Sequence, residues 1–190
     1  MSELLALVRN LNRLAALERT GLLDTLPEKA FDRFTRLATR WFNAPIALVS
    51  LVDRDRQFFK SSVGLPEPWH SSRETPLAYS FCKHTVALHM PVMISDARED
   101  PAYRDSPAVR ELHIVSYAGV PLTMSGYALG ALCVIDVEPR TWSADEIATL
   151  ADLGECVTHE MELRTRLREM EVASRDADAR IRRLEGSGGT

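Results

Sequence analysis

The sequence predicts an α+β domain built on a mainly antiparallel sheet, with a long helix leaving it at the C-terminus. Three observations carry this. Two amphipathic helical segments come first. Short β-rich runs then return on themselves through turns instead of alternating with long helices, the order of an antiparallel sheet. After Ser143 there is no proline, and Gly154 is the only glycine before Gly186, so one helix is expected to run unbroken. The 190 residues, 45% hydrophobic and 26% charged, are one soluble domain's worth plus an extension.

From Glu3 to Glu18 the residues Leu4, Leu7, Val8, Leu11, Leu14 and Ala15 fall at helical spacing. Residues 1–20 are therefore read as one amphipathic helix, ended by Thr20-Gly21. After Leu26-Pro27 a second helix is expected from about Glu28 to Phe42, its stripe carried by Phe31, Phe34, Leu37, Ala38 and Trp41. Pro45 to Asp53 is nearly continuous in apolar and β-branched residues, as in a strand buried on both faces. Arg54-Asp55-Arg56 turns the chain, and Gln57 to Val63 returns as the antiparallel partner. Gly64 to Pro76, with three prolines and Trp69, forms a long excursion. Ser80 caps a short helix running to His89, Pro91 to Ile94 forms a short strand, and Asp96 to Pro101 opens a second irregular stretch.

No Asp, Glu, Lys or Arg occurs from His113 through Ile135, a run long enough to span a bilayer. Its Ser116, Gly119, Pro121, Thr123, Ser125, Gly126 and Gly130 divide it instead into a buried hairpin, Val115–Met124 and Tyr127–Val137, turning at Ser125-Gly126. No membrane contact is expected. With 23 basic against 27 acidic residues the net charge is -4, which excludes a global positive field for nucleic acid. The N-terminal residues lack the basic lead of a secretory signal, and three unpaired cysteines suit a reducing compartment, so a cytoplasmic location is expected.

The exit helix, residues 143–185, opens on a capping box, Ser143 with Glu146. At 1.5 Å per residue, roughly 43 residues span about 64 Å, too long to lie on a domain of this size. A heptad frame puts Leu153, Glu160, Leu167, Ser174 and Ile181 at position a. Cys156, Leu163, Met170, Ala177 and Leu184 then stand at d, so eight of ten seam positions are apolar. The expected partner is a second copy of the chain, with Leu4, Leu7, Leu11 and Leu14 of the N-terminal helix joining the interface. The alternative is a solvated single helix held by ion pairs. Gly186 to Thr190 reads as a flexible tail.

Several segments together resemble the GAF domains of bacterial signalling proteins: Pro45-Ile-Ala-Leu-Val-Ser-Leu-Val-Asp53, Glu74-Thr-Pro with Ser80-Phe-Cys-Lys-His-Thr85, Asp96 with Asp100-Pro101, and Tyr117-Ala-Gly-Val-Pro-Leu122 followed by Leu129-Gly-Ala-Leu-Cys-Val-Ile-Asp136. The resemblance covers most of Leu14 to Leu153, with the domain core at 21–142. It implies a six-stranded antiparallel sheet with helices on one face and pocket-forming loops on the other. It also implies a non-catalytic sensory module whose exit helix signals to a histidine kinase, cyclase or phosphatase, in cis or in trans. A dimerisation scaffold with a filled pocket is the alternative.

For a small-molecule ligand the candidate contacts are Trp69, Ser80, Phe81, Cys82, His84, Asp96, Tyr103, Ser116 and Tyr117, aromatic and polar groups on or beside the excursions. Cys82 and His84 stand two positions apart, which places them on different sides of a helix and argues against a catalytic Cys/His pair. In bilin-binding relatives the attachment cysteine is followed at once by histidine, and here Lys83 intervenes, so no covalent bilin is expected. His70, His84, His89, His113 and His159 show no haem or metal spacing, and no cofactor is required. The resemblance also admits an enzyme, a free methionine sulfoxide reductase using Cys82 and Cys133. Cys133 lies in an apolar strand where an inert thiol is expected, and no catalytic residue is assigned.

Overall fold

The computed structural model describes residues 2–187. Residues 188–190 of the expected tail lie outside the described residues, as do the side chains of Ile181 and Leu184 at the expected seam. Six strands form one sheet: β1 (Ile46–Val52), β2 (Arg56–Val63), β3 (Glu74–Pro76), β4 (Val92–Ile94), β5 (Ser116–Met124) and β6 (Tyr127–Asp136). Their order is β3-β2-β1-β6-β5-β4, and every neighbouring pair is antiparallel. β1 is buried at every position, as its unbroken apolar run requires. The uncharged run from His113 to Ile135 supplies the β5–β6 hairpin. No described helix is long and apolar enough to cross a membrane.

Side chains alternate between two cores. Ala47, Val49 and Leu51 of β1 face one, with Val120, Leu132 and Val134. Ile46, Leu48 and Val52 face the other, with Tyr117, Cys133 and Ile135. The first face is covered by α2 (Leu11–Thr20), α3 (Lys29–Phe42) and α7 (Ala144–Ser187). The second is covered by α1 (Ser2–Val8) and by the excursions, which carry α4 (Trp69–Ser72), a 3₁₀ turn at Leu77–Tyr79, α5 (Cys82–Leu88) and α6 (Pro107–Leu112).

The N-terminal segment is two helices, not the one continuous helix expected. Asn10 leaves helical geometry at ψ 124, and its side chain accepts a hydrogen bond from the Arg13 backbone N–H at 3.1 Å, capping a new helix. The break has a packing reason. Val8 of α1 is buried on the loop face, while Ala16 and Leu17 of α2 are buried on the helix face, and one straight helix cannot serve both. Leu4 is accordingly packed against its own loop-face core, whereas Leu7 and Leu11 are exposed.

The stripe on α3 also differs. Phe31, Thr35, Ala38 and Phe42 are buried, while Leu37 and Trp41 face outward. Thr35 takes its place because its hydroxyl meets Ser61 Oγ at 2.9 Å. Opposite it, β2 pairs Val49 with Ser61 and Ser50 with Phe59, so Lys60 is the extra residue of a bulge. The Lys60 ammonium is thereby driven into the helix-face core. It donates to Thr25 Oγ1 at 2.6 Å, the Leu26 carbonyl at 3.0 Å and Glu28 Oε1 at 2.5 Å, and lies over the Phe31 ring.

The capping box on α7 forms as expected: the Ser143 N–H donates to Glu146 Oε2 at 2.9 Å, and the Glu146 N–H to Ser143 Oγ at 3.2 Å. Leu150, Gly154, Val157, Met161 and Thr165 are then buried, where α7 packs on the sheet and on α2 and α3. A Cβ on Gly154 would stand 2.7 Å from Val120, so glycine permits this close contact. From Arg166 onward the described side chains are exposed or nearly so.

Candidate functional site

The loop face holds the polar chemistry. Gln57 of β2 points from the strand into this core, and its amide is shared by three hydroxyls from three elements. Its Oε1 accepts from Ser50 Oγ of β1 at 3.2 Å and from Ser80 Oγ at 2.7 Å, while its Nε2 donates to Thr75 Oγ1 of β3 at 2.8 Å. Ser80 in turn accepts from the Lys83 N–H at 3.1 Å, starting α5 as the sequence predicts. Phe81 then turns inward, edge-on to Tyr117 at 5.7 Å and to Tyr103 at 5.2 Å. The Tyr117 hydroxyl meets Thr85 Oγ1 at 2.9 Å. Gly119 leaves room for that ring, since a Cβ there would fall 2.0 Å from the Tyr117 oxygen.

Between these groups lies a cavity of about 20 Å³, walled by Gln57, Thr75, Tyr79, Phe81, Cys82, Tyr117 and aliphatic neighbours such as Leu48 and Ile114. It has room for about one water. Cys82 Sγ lies 3.7 Å from Cys133 Sγ, both thiols buried and unbridged. The contact with Cys133 lowers Cys82 from the usual thiol range, while burial pushes Cys133 well above it and raises Tyr117 likewise. At the rim His84 packs against Tyr103 at 4.7 Å, and burial, aided by the Lys83 charge, pulls the imidazole down to about 4.

Of the residues expected at a ligand site, Phe81, Cys82 and Tyr117 line the cavity, and Ser80 is tied to its wall through Gln57. His84 and Tyr103 stack at its rim, and Trp69 packs against Tyr79 at 5.2 Å over the outer wall. Two do not belong to it. Asp96 is held by Arg98, at 2.9 and 2.6 Å, outside the pocket. Ser116 lies on the opposite side of the sheet from Tyr117 by strand alternation, in step with Ala118 of the helix-face core. Gln57, Thr75 and Tyr79 escaped the sequence reading. The signal available for Gln57 was parity, two positions before Phe59 in the same strand.

The GAF domain profile matches residues 26–158. This chain belongs to the GAF family. A cyclic di-GMP phosphodiesterase of Pseudomonas aeruginosa is 41% identical over 131 residues, covering 68% of this chain and 22% of that protein. The chain thus spans 22% of the length of that curated relative. Among solved structures, the blue-light absorbing form of the Thermosynechococcus elongatus PixJ GAF domain superposes with TM-score 0.58 at 16% identity, covering 87% of this chain and 95% of that one. The GAF domain of an Acinetobacter phosphoenolpyruvate-protein phosphotransferase gives 0.59 at 16%, covering 80% and 94%. Free methionine-R-sulfoxide reductase from Neisseria meningitidis, in complex with its substrate, also gives 0.59 at 16%, covering 80% and 89%. At these identities the likeness is one of fold.

Proposed function

We propose that this GAF domain is a non-catalytic regulatory module of bacterial signal transduction, which dimerises and relays a change in its loop-side pocket through α7. The observation that carries the reading is the division of α7 into two stripes. Leu150, Val157, Met161 and Thr165 are buried against the domain itself. Cys156, Leu163, Leu167 and Met170 form a separate exposed row, with Leu163 and Leu167 more than half exposed. A row of apolar side chains turned to solvent on a helix that outruns its domain favours a coiled-coil partner. The relative named as a cyclic di-GMP phosphodiesterase supports an effector of that class, acting in cis or in trans on a regulatory signal.

Sedimentation of the wild-type chain beside a Leu163→Asp/Leu167→Asp variant tests the interface. The expected result is a dimer that becomes a monomer with its circular dichroism retained over the domain; a wild-type monomer, or a variant dimer, overturns it. The second reading, a scaffold without ligand, is favoured by the small volume of the cavity and by the three internal hydrogen bonds of the Gln57 amide. Native mass spectra of protein purified without additions distinguish the two. Extra mass lost on denaturation supports the sensor, and a bare dimer supports the scaffold.

A further inference from the structure

Cys82 and Cys133 stand 51 residues apart in sequence, one on α5 and one in the centre of β6, and their sulfurs touch at 3.7 Å. A buried lone cysteine is ordinarily a small packing group. Here two thiols meet, and one of them, Cys82, forms part of the wall of a cavity with room for about one small polar molecule. Bringing the sulfurs from 3.7 Å to bonding distance requires a closure of about 1.7 Å. That closure draws together the end of one short helix and a strand, and spares the long helices on the other face. The third cysteine, Cys156, is exposed on α7 and belongs to a different surface.

We infer that Cys82 and Cys133 are a modification site for a small hydroperoxide, which converts the pair to a disulfide joining α5 to β6. The cavity selects the oxidant by size: hydrogen peroxide is little larger than the water the space would hold, and a bulky disulfide such as oxidised glutathione is excluded. In the first step the Cys82 sulfur attacks one peroxide oxygen. The O–O bond breaks, water leaves, and Cys82 becomes a sulfenic acid, two electrons having passed from sulfur to oxygen. In the second step the Cys133 sulfur attacks Cys82 Sγ, the S–O bond breaks, and the hydroxyl leaves as a second water with the Cys133 proton. Peroxide and two thiols yield one disulfide and two waters. Cys82 lines the cavity and Cys133 does not, so Cys82 is the attacking sulfur and Cys133 the resolving one. Its consequence lies at the pocket, because Cys82 moves out of the cavity wall and Phe81 and Tyr117 must repack around it.

The inference is independent of the dimer reading, and its test uses the wild-type chain. The protein is exposed to hydrogen peroxide, quenched with catalase, denatured, alkylated with a maleimide and mapped without reduction. Expected are the loss of two of the three alkylatable thiols, a mass lower by two hydrogens, and a linked peptide pair containing Cys82 and Cys133, all reversed by dithiothreitol. Cys156→Ser leaves these results unchanged. In Cys133→Ala the reaction stops at a sulfenic acid on Cys82, trapped by dimedone. If Cys133→Ala does not fold, the wild-type peptide map alone decides. Three thiols that all stay alkylatable after peroxide treatment overturn the proposal, as does oxidation confined to Cys156 as a link between two chains.

Discussion

The two faces of one sheet are built by different means. On the helix face, α2, α3 and α7 supply long apolar stripes, and the buried polar groups there include a charge, the Lys60 ammonium, held by Glu28 and lying over Phe31. On the loop face, short helices and turns surround a neutral network centred on Gln57. Glu28 also lies 3.0 Å from Arg164 Nε of α7, an ion pair without hydrogen-bond alignment, so the charged knot ties β2 and α3 to the exit helix. The difference teaches where each face can change. A buried charge demands its partner in place, whereas a cluster of neutral hydroxyls and an amide can re-pair among themselves or with a ligand at lower cost.

The sharpest way to break this contrast is to remove the charge partner. Glu28→Ala leaves Lys60 buried with only Thr25 and the Leu26 carbonyl, and Arg164 with Glu160 alone. Breaking a buried pair from one side costs roughly 3–5 kcal/mol. Because Glu28 keeps 30% of its side chain exposed, the lower end, about 3 kcal/mol, is expected. Urea unfolding with an unchanged m value measures it. Lys60→Met, which removes the buried charge and leaves Glu28 part-exposed beside Arg164, is expected to cost less than Glu28→Ala. If Lys60→Met proves the costlier of the two, the charge is not what sets the helix face apart.

The corresponding change on the loop face is Gln57→Leu. It keeps the volume but strands the Thr75 hydroxyl and the Ser50 and Ser80 donors, at a cost of about 1–3 kcal/mol. Amide exchange sharpens the comparison: faster exchange is expected in α5, which Ser80 starts, with α3 unchanged. Faster exchange in both would show that the faces open together.

The sequence exposed the helix face more fully than the loop face, for reasons visible in particular residues. The run from Ile46 to Val52, the Ser125-Gly126 turn and the Ser143–Glu146 box each fix an element locally, and each is found where expected. The break at Asn10 was hidden because asparagine interrupts no apolar spacing, and its need arises from two cores on opposite sides of the sheet. Outward Leu37 and Trp41 were read as core because helical periodicity cannot see the bulge at Lys60, which brings Ser61 to Thr35. β3, α4 and α6, of three, four and six residues, are too short to carry a period. Phe81, Cys82 and Tyr117 were nonetheless found in the cavity wall, because aromatic and small polar residues cluster on or beside the excursions; Ser116 was misplaced because one step of strand register exchanges faces.

The smallest effect expected is a pH dependence belonging to the loop face alone. His84 titrates at about 4 in the folded chain against 6.5 when free, burial being the main cause and Lys83 the second. Between those values the unfolded chain holds more protons than the folded one, so stability rises with pH across the window and falls as pH drops from 6.5 towards 4. Below the folded value the loss is complete. Since the ring is only part-buried against Tyr103, water screens it, and the effect is expected to be smaller than that of Gln57→Leu. His84→Gln removes the proton acceptor, and the difference between variant and wild type, followed by urea unfolding at successive pH values, should vanish at neutral pH and widen in favour of the variant on acidification. Carboxylates elsewhere contribute to both chains and cancel in that difference. A flat difference would mean that the Phe81, Tyr103 and His84 cluster opens readily enough to hydrate the imidazole in the folded state, and the loop face would then be looser than its small cavity implies.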